Sequence, residues 1–156
     1  MKKQKNLLIV AHAPSPNTIA LRNAAVCGAN YEEIENINVI MRSPLEATAE
    51  DVINSQAIIL GTTENLGYMS GALKDFFDRI YYPCLEETQG MPFAAYIRAG
   101  HDGTGTQRGI QSITTGLKWR LVQNFLVFRG SYHDRFASDC KELGMTVAAS
   151  LETGVI

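Results

Sequence analysis

Hydroxyl, amide and glycine residues gather at three points in this sequence, each just after an apolar run. The first, His12–Thr18, carries hydroxyls at Ser15 and Thr18 and an amide at Asn17, and it opens a helical pattern. A helix N-terminus has unpaired N–H groups and a partial positive charge, so such a stretch can hold a phosphate without a lysine. The same residues equally suit an N-cap with its turn residues. His12 either touches that phosphate or merely caps the loop. The second stretch, Thr62–Met69, is a loop that leads into a helix. The third, Ala99–Gly105, is rich in glycine, which lets backbone approach a ligand closely. Its His101 has an unperturbed pKa near ~6.5, fit for proton donation, and reads otherwise as a surface-loop histidine. Gly103 and Gly105 hint at a dinucleotide fingerprint, but Arg108 stands where the third glycine belongs and the stretch follows the fourth strand rather than the first.

These stretches need elements to bring them together. Asn6–His12, Ile37–Met41, Ala57–Gly61, Pro92–Ala99 and Asn124–Phe128 read as strands, short and apolar as in a sheet covered on both faces. Between them the pattern turns helical. The first helix is expected from a cap at Asn17 or Thr18 to an end at Gly28, and a short one spans Ala49–Ser55. Ser70 caps the next, with Leu73, Phe76, Phe77 and Ile80 on one face and Lys74–Asp78 and Asp75–Arg79 paired on the other, and Pro83 is expected to stop it. Another follows Gly105 with Ile110, Ile113, Leu117 and Leu121 inward. A last helix carries Cys140, Leu143, Gly144, Val147, Ala148 and Leu151. Strands alternating with helices imply parallel pairing and right-handed crossovers. The three loops then follow strands one, three and four and meet at the carboxyl edge of the sheet, where ligands bind in open α/β folds.

The whole chain sets limits. Its 156 residues, 46% hydrophobic and 19% charged, fit one globular domain over 1–156. A net charge of −2 gives no field favouring nucleic acid or an acidic membrane. No apolar run reaches the ~18 residues of a membrane span, so no membrane insertion is expected. Met1–Lys5 reads as a solvated lead-in. Cys27, Cys84 and Cys140 are odd in number and far apart, which fits free thiols in a reducing cytoplasm. There is no metal-ligand cluster and no phosphate-binding Gly-x-x-x-x-Gly-Lys. A phospho-acceptor domain would need acids where Ala11, His12 and Gly61 stand. Trp119 is expected to pack or to form an oligomer contact, and His133 to lie at the surface.

Gly61-Thr62, Gly67, Met69-Ser70-Gly71, Lys74, Phe76 and Asp78-Arg79 resemble the flavin-contacting signature of the flavodoxin-like superfamily, most closely in its NAD(P)H:quinone oxidoreductase branch. The resemblance is specific over these residues and rests elsewhere on element order. The first loop departs from the common Thr-x-Thr-Gly-x-Thr form, because Pro14 and Pro16 intrude and the glycine is missing. The resemblance implies a three-layer α/β sandwich whose five-stranded parallel sheet has the order 2-1-3-4-5. It implies FMN, with the phosphate on His12, Ser15, Asn17 and Thr18. The ring would lie on Thr62, Thr63, Glu64, Asn65, Leu66, Gly67 and Tyr68, chiefly through backbone N–H groups. Leu66 or Tyr68 would cover a face, though Tyr68 and Met69 also suit plain packing. Ala99, Gly100 and Gly103 would border the pyrimidine side, with His101 as proton donor.

Two functions follow from the resemblance. One is an oxidoreductase taking hydride from NAD(P)H and reducing a quinone or other small-molecule acceptor. The other is a one-electron carrier that docks to redox partners. Carriers are usually acidic and sandwich the ring between aromatics, whereas this chain is nearly neutral and Gly100–Thr106 holds no aromatic residue. Both features favour the oxidoreductase. The chain lacks room for the long insertions of that branch, so help from a neighbouring subunit, in a homo-oligomer, is expected. A non-catalytic binding protein on the same fold is the third reading.

Overall fold

The computed structural model describes residues 3–156, so the lead-in Met1–Lys5 lies partly outside them. The elements run β1 (Lys5–Ala11), α1 (Pro16–Ala29), β2 (Ile37–Arg42), α2 (Ala49–Ile53), β3 (Ala57–Asn65), β4 (Tyr68–Met69), α3 (Gly71–Leu85), β5 (Pro92–Ala99), α4 (Thr104–Gly116), β6 (Arg120–Leu121), β7 (Leu126–Arg129) and α5 (Asp134–Thr153). The sheet order is β2-β1-β3-β5, with β6 and β7 both on the outer side of β5. All of these pairs are parallel, and β4 alone runs antiparallel, on β3. This is the flavodoxin-like three-layer arrangement, with the fifth strand in two pieces.

Both faces of the sheet are buried, and period two divides their side chains. Leu8, Val10, Ile58 and Leu60 point to one face, under Phe76, Phe77, Ile80 and Ile110 of α3 and α4. Leu7, Ile9, Ile59 and Tyr96 point to the other, under Leu21 of α1 and Leu143, Val147 and Leu151 of α5. Trp119 is packing: it lies against Phe77 and Phe93 and donates its indole N–H to the Thr88 hydroxyl at 2.9 Å.

Several local expectations are corrected. Ser15, not Asn17 or Thr18, caps α1, with Thr18 closing the capping box, because Pro16 suits the first helical position. Gly28 does not end α1. It is buried inside the helix, where a Cβ would lie 1.9 Å from the Lys141 carbonyl of α5, and Gly144 returns the constraint with a Cβ 2.1 Å from the Ala25 carbonyl. Pro83 does not stop α3. The helix runs on to Leu85, so that Cys84 packs fully buried under α2, its thiol 3.8 Å from the Ala49 carbonyl. Leu121 is not on a helix but on β6, and exposed. The fifth strand breaks because four residues, 122–125, stand opposite only Ala94 and Ala95 of β5. Both ion pairs on α3 form as expected, and Arg79 also donates to the Ala47 and Pro44 carbonyls at 2.7 and 2.6 Å.

The contact of α1 with α5 is thus backbone on backbone. Gly144→Ala is expected to lower unfolding stability in urea by at least about 2 kcal/mol, since a buried backbone carbonyl cannot yield the space. Gly71→Ala, at the open first turn of α3, is expected to change it by less than about 1 kcal/mol.

Candidate functional site

The carboxyl edge of the sheet is stepped across its three central strands: β1 ends at Ala11, whereas β3 and β5 run on to Asn65 and Ala99. Ala11 pairs with Gly61 and Gly61 with Tyr96, so the loop after β1 leaves at that row, and β3 and β5 stay paired beyond it through Thr62–Ile97 and Thr63–Arg98. The His12 N–H continues the first pairing, donating to the Gly61 carbonyl at 2.9 Å. Gly61 is required here, because a Cβ would meet the Tyr96 ring at 2.3 Å. Cavities of about 630 and 330 Å3 lie at the opposite edge, beside Asn6, Asn54 and Gln56 and beside Lys5, Asn36 and Glu152. The strand order favours the carboxyl edge as the site, because that is where neighbouring loops diverge.

In the first loop, the Ser15 and Thr18 hydroxyls are spent on each other. They stand 2.9 Å apart, the Thr18 hydroxyl donates to the Ser15 carbonyl at 3.0 Å, and the Thr18 N–H reaches the Ser15 hydroxyl at 3.3 Å. Pro16 has no N–H, and Ile19 donates back to the Ser15 carbonyl. Among the described residues, the Asn17 N–H is the first-turn donor without a partner. His12 is half-buried, and loss of water lowers its pKa.

The second stretch is not a loop but a β-hairpin. β3 continues through Thr62–Asn65, turns at Leu66-Gly67 and returns as β4. Both turn residues have positive φ, 52° and 77°, as a type I′ turn requires. Leucine there costs roughly 1–2 kcal/mol, and its side chain is fully exposed. The Thr62 hydroxyl accepts from the Ser70 N–H at 3.1 Å, and Ser70 caps α3 by accepting from the Leu73 N–H at 3.1 Å, so Thr62 positions the helix start. Thr63 donates to the Asn65 side chain at 2.9 Å.

The hairpin lies on the start of α4, and glycines make the seat. A Cβ on Gly105 would fall 2.0 Å from the Gly67 carbonyl, and one on Gly109 would fall 2.5 Å from the Tyr68 ring. This contact accounts for glycine at 105 without any dinucleotide. Gly103, at φ +72°, is the N-cap of α4. Glu64 ties the second stretch to the third: its carboxylate accepts from the His101 N–H at 2.7 Å and from the Gly103 N–H at 2.8 Å. Ala99 is buried, Gly100 is exposed, and the His101 side chain faces solvent.

Three supports of the third loop were not singled out from the sequence. The Asp102 carboxylate accepts from the Thr104 N–H at 3.0 Å, and the Thr104 donors hold its carboxyl below the usual range. The Asp-Gly-Thr run is a signal for such a turn. Arg98 donates to the Phe128 carbonyl at 3.0 Å with its guanidinium 5.4 Å from the Phe136 ring centre, and Arg129 donates to the Asp102 carbonyl at 2.9 Å. No local pattern announces these contacts, because their partners come from other elements.

The lowered pKa of His12 has a sign that can be tested. The unfolded chain binds the imidazole proton more readily than the folded one, so stability from this group is complete above the unfolded value near 6.5. It is lost as pH falls below that value toward the lower folded one. Replacing His12 with Gln is expected to flatten the fall in urea stability between about pH 7 and pH 5.

No protein-family model matches the chain. A flavodoxin from Aquifex aeolicus is 29% identical over 122 residues, a match that takes in 78% of this chain and 63% of that protein's length. Among solved structures, a flavodoxin from the domain Archaea superposes with a TM-score of 0.78 at 20% identity, covering 94% of this chain and 99% of that one. A flavodoxin, WrbA-like protein from Agrobacterium tumefaciens gives 0.76 at 16% identity over 94% and 96%. An NADH:FMN oxidoreductase in its apo form gives 0.73 at 14% identity over 94% and 90%. The chain is therefore flavodoxin-like: it has that fold over 94% of its length, and its sequence is similar to that of a flavodoxin over 78% of it.

Proposed function

We propose that this chain binds FMN at the carboxyl edge of its sheet and works as an electron-transfer flavoprotein. The observation that carries the reading is the gathering of three ligand-type stretches, after β1, on the β3–β4 hairpin and after β5, at the carboxyl edge of three neighbouring strands. The donor set fits the cofactor. A phosphate monoester accepts N–H and O–H bonds, and the Asn17 N–H with the Ser15 and Thr18 hydroxyls at the start of α1 supply them. Those hydroxyls now bond each other, and rotation about one bond re-aims each toward an anion. The hairpin and the glycine-bearing third loop offer backbone to a flat ring. When bound, FMN supplies the hydride and electron chemistry. The protein binds, orients and shields it.

Within that reading we favour NAD(P)H as electron donor and a quinone or similar small molecule as acceptor. The third loop supports it: Gly100–Thr106 places no aromatic side chain over a ring, and His101 is exposed beside it. The carrier reading draws on a different observation, the similarity to a flavodoxin over 122 residues. Electron transfer at FMN is common to both.

Two measurements test these assignments. Ser15→Ala with Thr18→Ala is expected to weaken FMN binding at least tenfold, about 1.4 kcal/mol, in a fluorescence titration. Thr48→Ala removes a comparable cap from α2, away from the loops, and is expected to leave the affinity unchanged. Equal affinity in all three proteins would remove the phosphate assignment. Separately, NADPH or NADH added without oxygen is expected to bleach the flavin absorption of the FMN complex. Binding without bleaching would favour the carrier.

A further inference from the structure

Glu64 makes a contact that a ligand would contest. Its two carboxylate oxygens take one backbone donor each from the third loop, the His101 N–H at 2.7 Å and the Gly103 N–H at 2.8 Å. The two N–H groups, two positions apart, meet on one acceptor in the manner of an anion-binding nest. Such a pair is a receptor for a carboxylate, a carbonyl or the acceptor edge of a heterocycle. Here it is filled by the chain itself. The bonds are charge-assisted and therefore stronger than neutral ones. The same contact holds the hairpin closed on α4, with the Gly67 carbonyl against Gly105 and the Tyr68 ring against Gly109. At the hairpin tip the Leu66 side chain packs on nothing, so it adds little to that closure.

We propose that Glu64 is an internal competitor: its carboxylate occupies the His101–Gly103 donor pair in the free protein and must withdraw when the acceptor edge of a bound flavin takes that pair. The competition rests on the FMN reading above, whereas the contact itself does not. An N–H donates strongly to one acceptor at a time, so the two occupants exclude each other. Affinity is reduced by the fraction of molecules in which the pair is covered. Removing the carboxylate should tighten ligand binding and loosen the free hairpin.

The test uses the full chain with Glu64→Ala and Glu64→Asp. Aspartate keeps the charge but is one methylene short of reaching both donors. In ligand-free protein, amide exchange at His101 and Gly103 is expected to speed up at least about tenfold in both variants. FMN is expected to bind at least about threefold more tightly to both than to the wild type. Unchanged exchange protection in both variants would overturn the contact. Equal or weaker FMN binding by both would overturn the competition and make Glu64 a brace. Tighter binding by the alanine variant alone would assign the effect to charge and equally overturn it. If none of the three proteins binds FMN, the cofactor reading falls, and with it the competition, while the exchange data still decide the contact.

Discussion

The row Ala11–Gly61–Tyr96, one residue from each central strand, governs where everything else at the carboxyl edge can be. The Tyr96 ring lies across Gly61 and fills the space a side chain would take. Its hydroxyl is buried without a partner among the described residues, and burial pushes its pKa up. An unpaired hydroxyl is costly, roughly 1–3 kcal/mol. The ring's own burial offsets that cost. The result is a fixed register in which β1 departs at His12 while β3 and β5 continue side by side through Thr63 and Arg98. A slip of one residue in β3 would turn its side chains to the wrong faces and scatter the loops.

Around that row the two faces of the sheet do different work. The α1–α5 face is closed by backbone contact at Gly28 and Gly144, which leaves little freedom to move. The α3–α4 face is built from large side chains, Phe76, Phe77 and Trp119 among them, and carries the hairpin on its upper rim. The hairpin therefore hangs from the face whose contacts are made mainly by side chains. The face made by backbone acts as a rigid support for the first loop.

Much of the fold was legible because burial on both faces leaves continuous apolar runs. Ala57–Leu60 and Pro92–Ala99 are such runs, and the spacing of Leu73, Phe76, Phe77 and Ile80 is helical. What escaped had long-range causes. Of the last four residues of β3, Thr62 and Thr63 pair with β5, and Glu64 and Asn65 become strand because Met69 and Tyr68 fold back on them, around a leucine in a conformation leucine rarely adopts. Pro83 sits inside a helix because burying Cys84 outweighs a lost N–H. Gly28 looks like a helix end, and its reason lies more than a hundred residues away in α5. Of the site, the three loops could be read from element order. The Glu64 contact could not, because nothing local marks a carboxylate that bonds residues 37 and 39 positions on.

The broken fifth strand has a further effect on how the molecule meets its own kind. A parallel sheet ends in unpaired N–H and C=O groups, and a long straight edge invites another chain to continue the ladder. Here that margin comes as two residues, then a bulge, then four. Neither fragment is long enough to seed a stable intermolecular ladder, and the bulge puts the two out of step with any regular strand. The break in the fifth strand thus blunts this edge of the sheet, the one opposite β2, against edge-to-edge pairing.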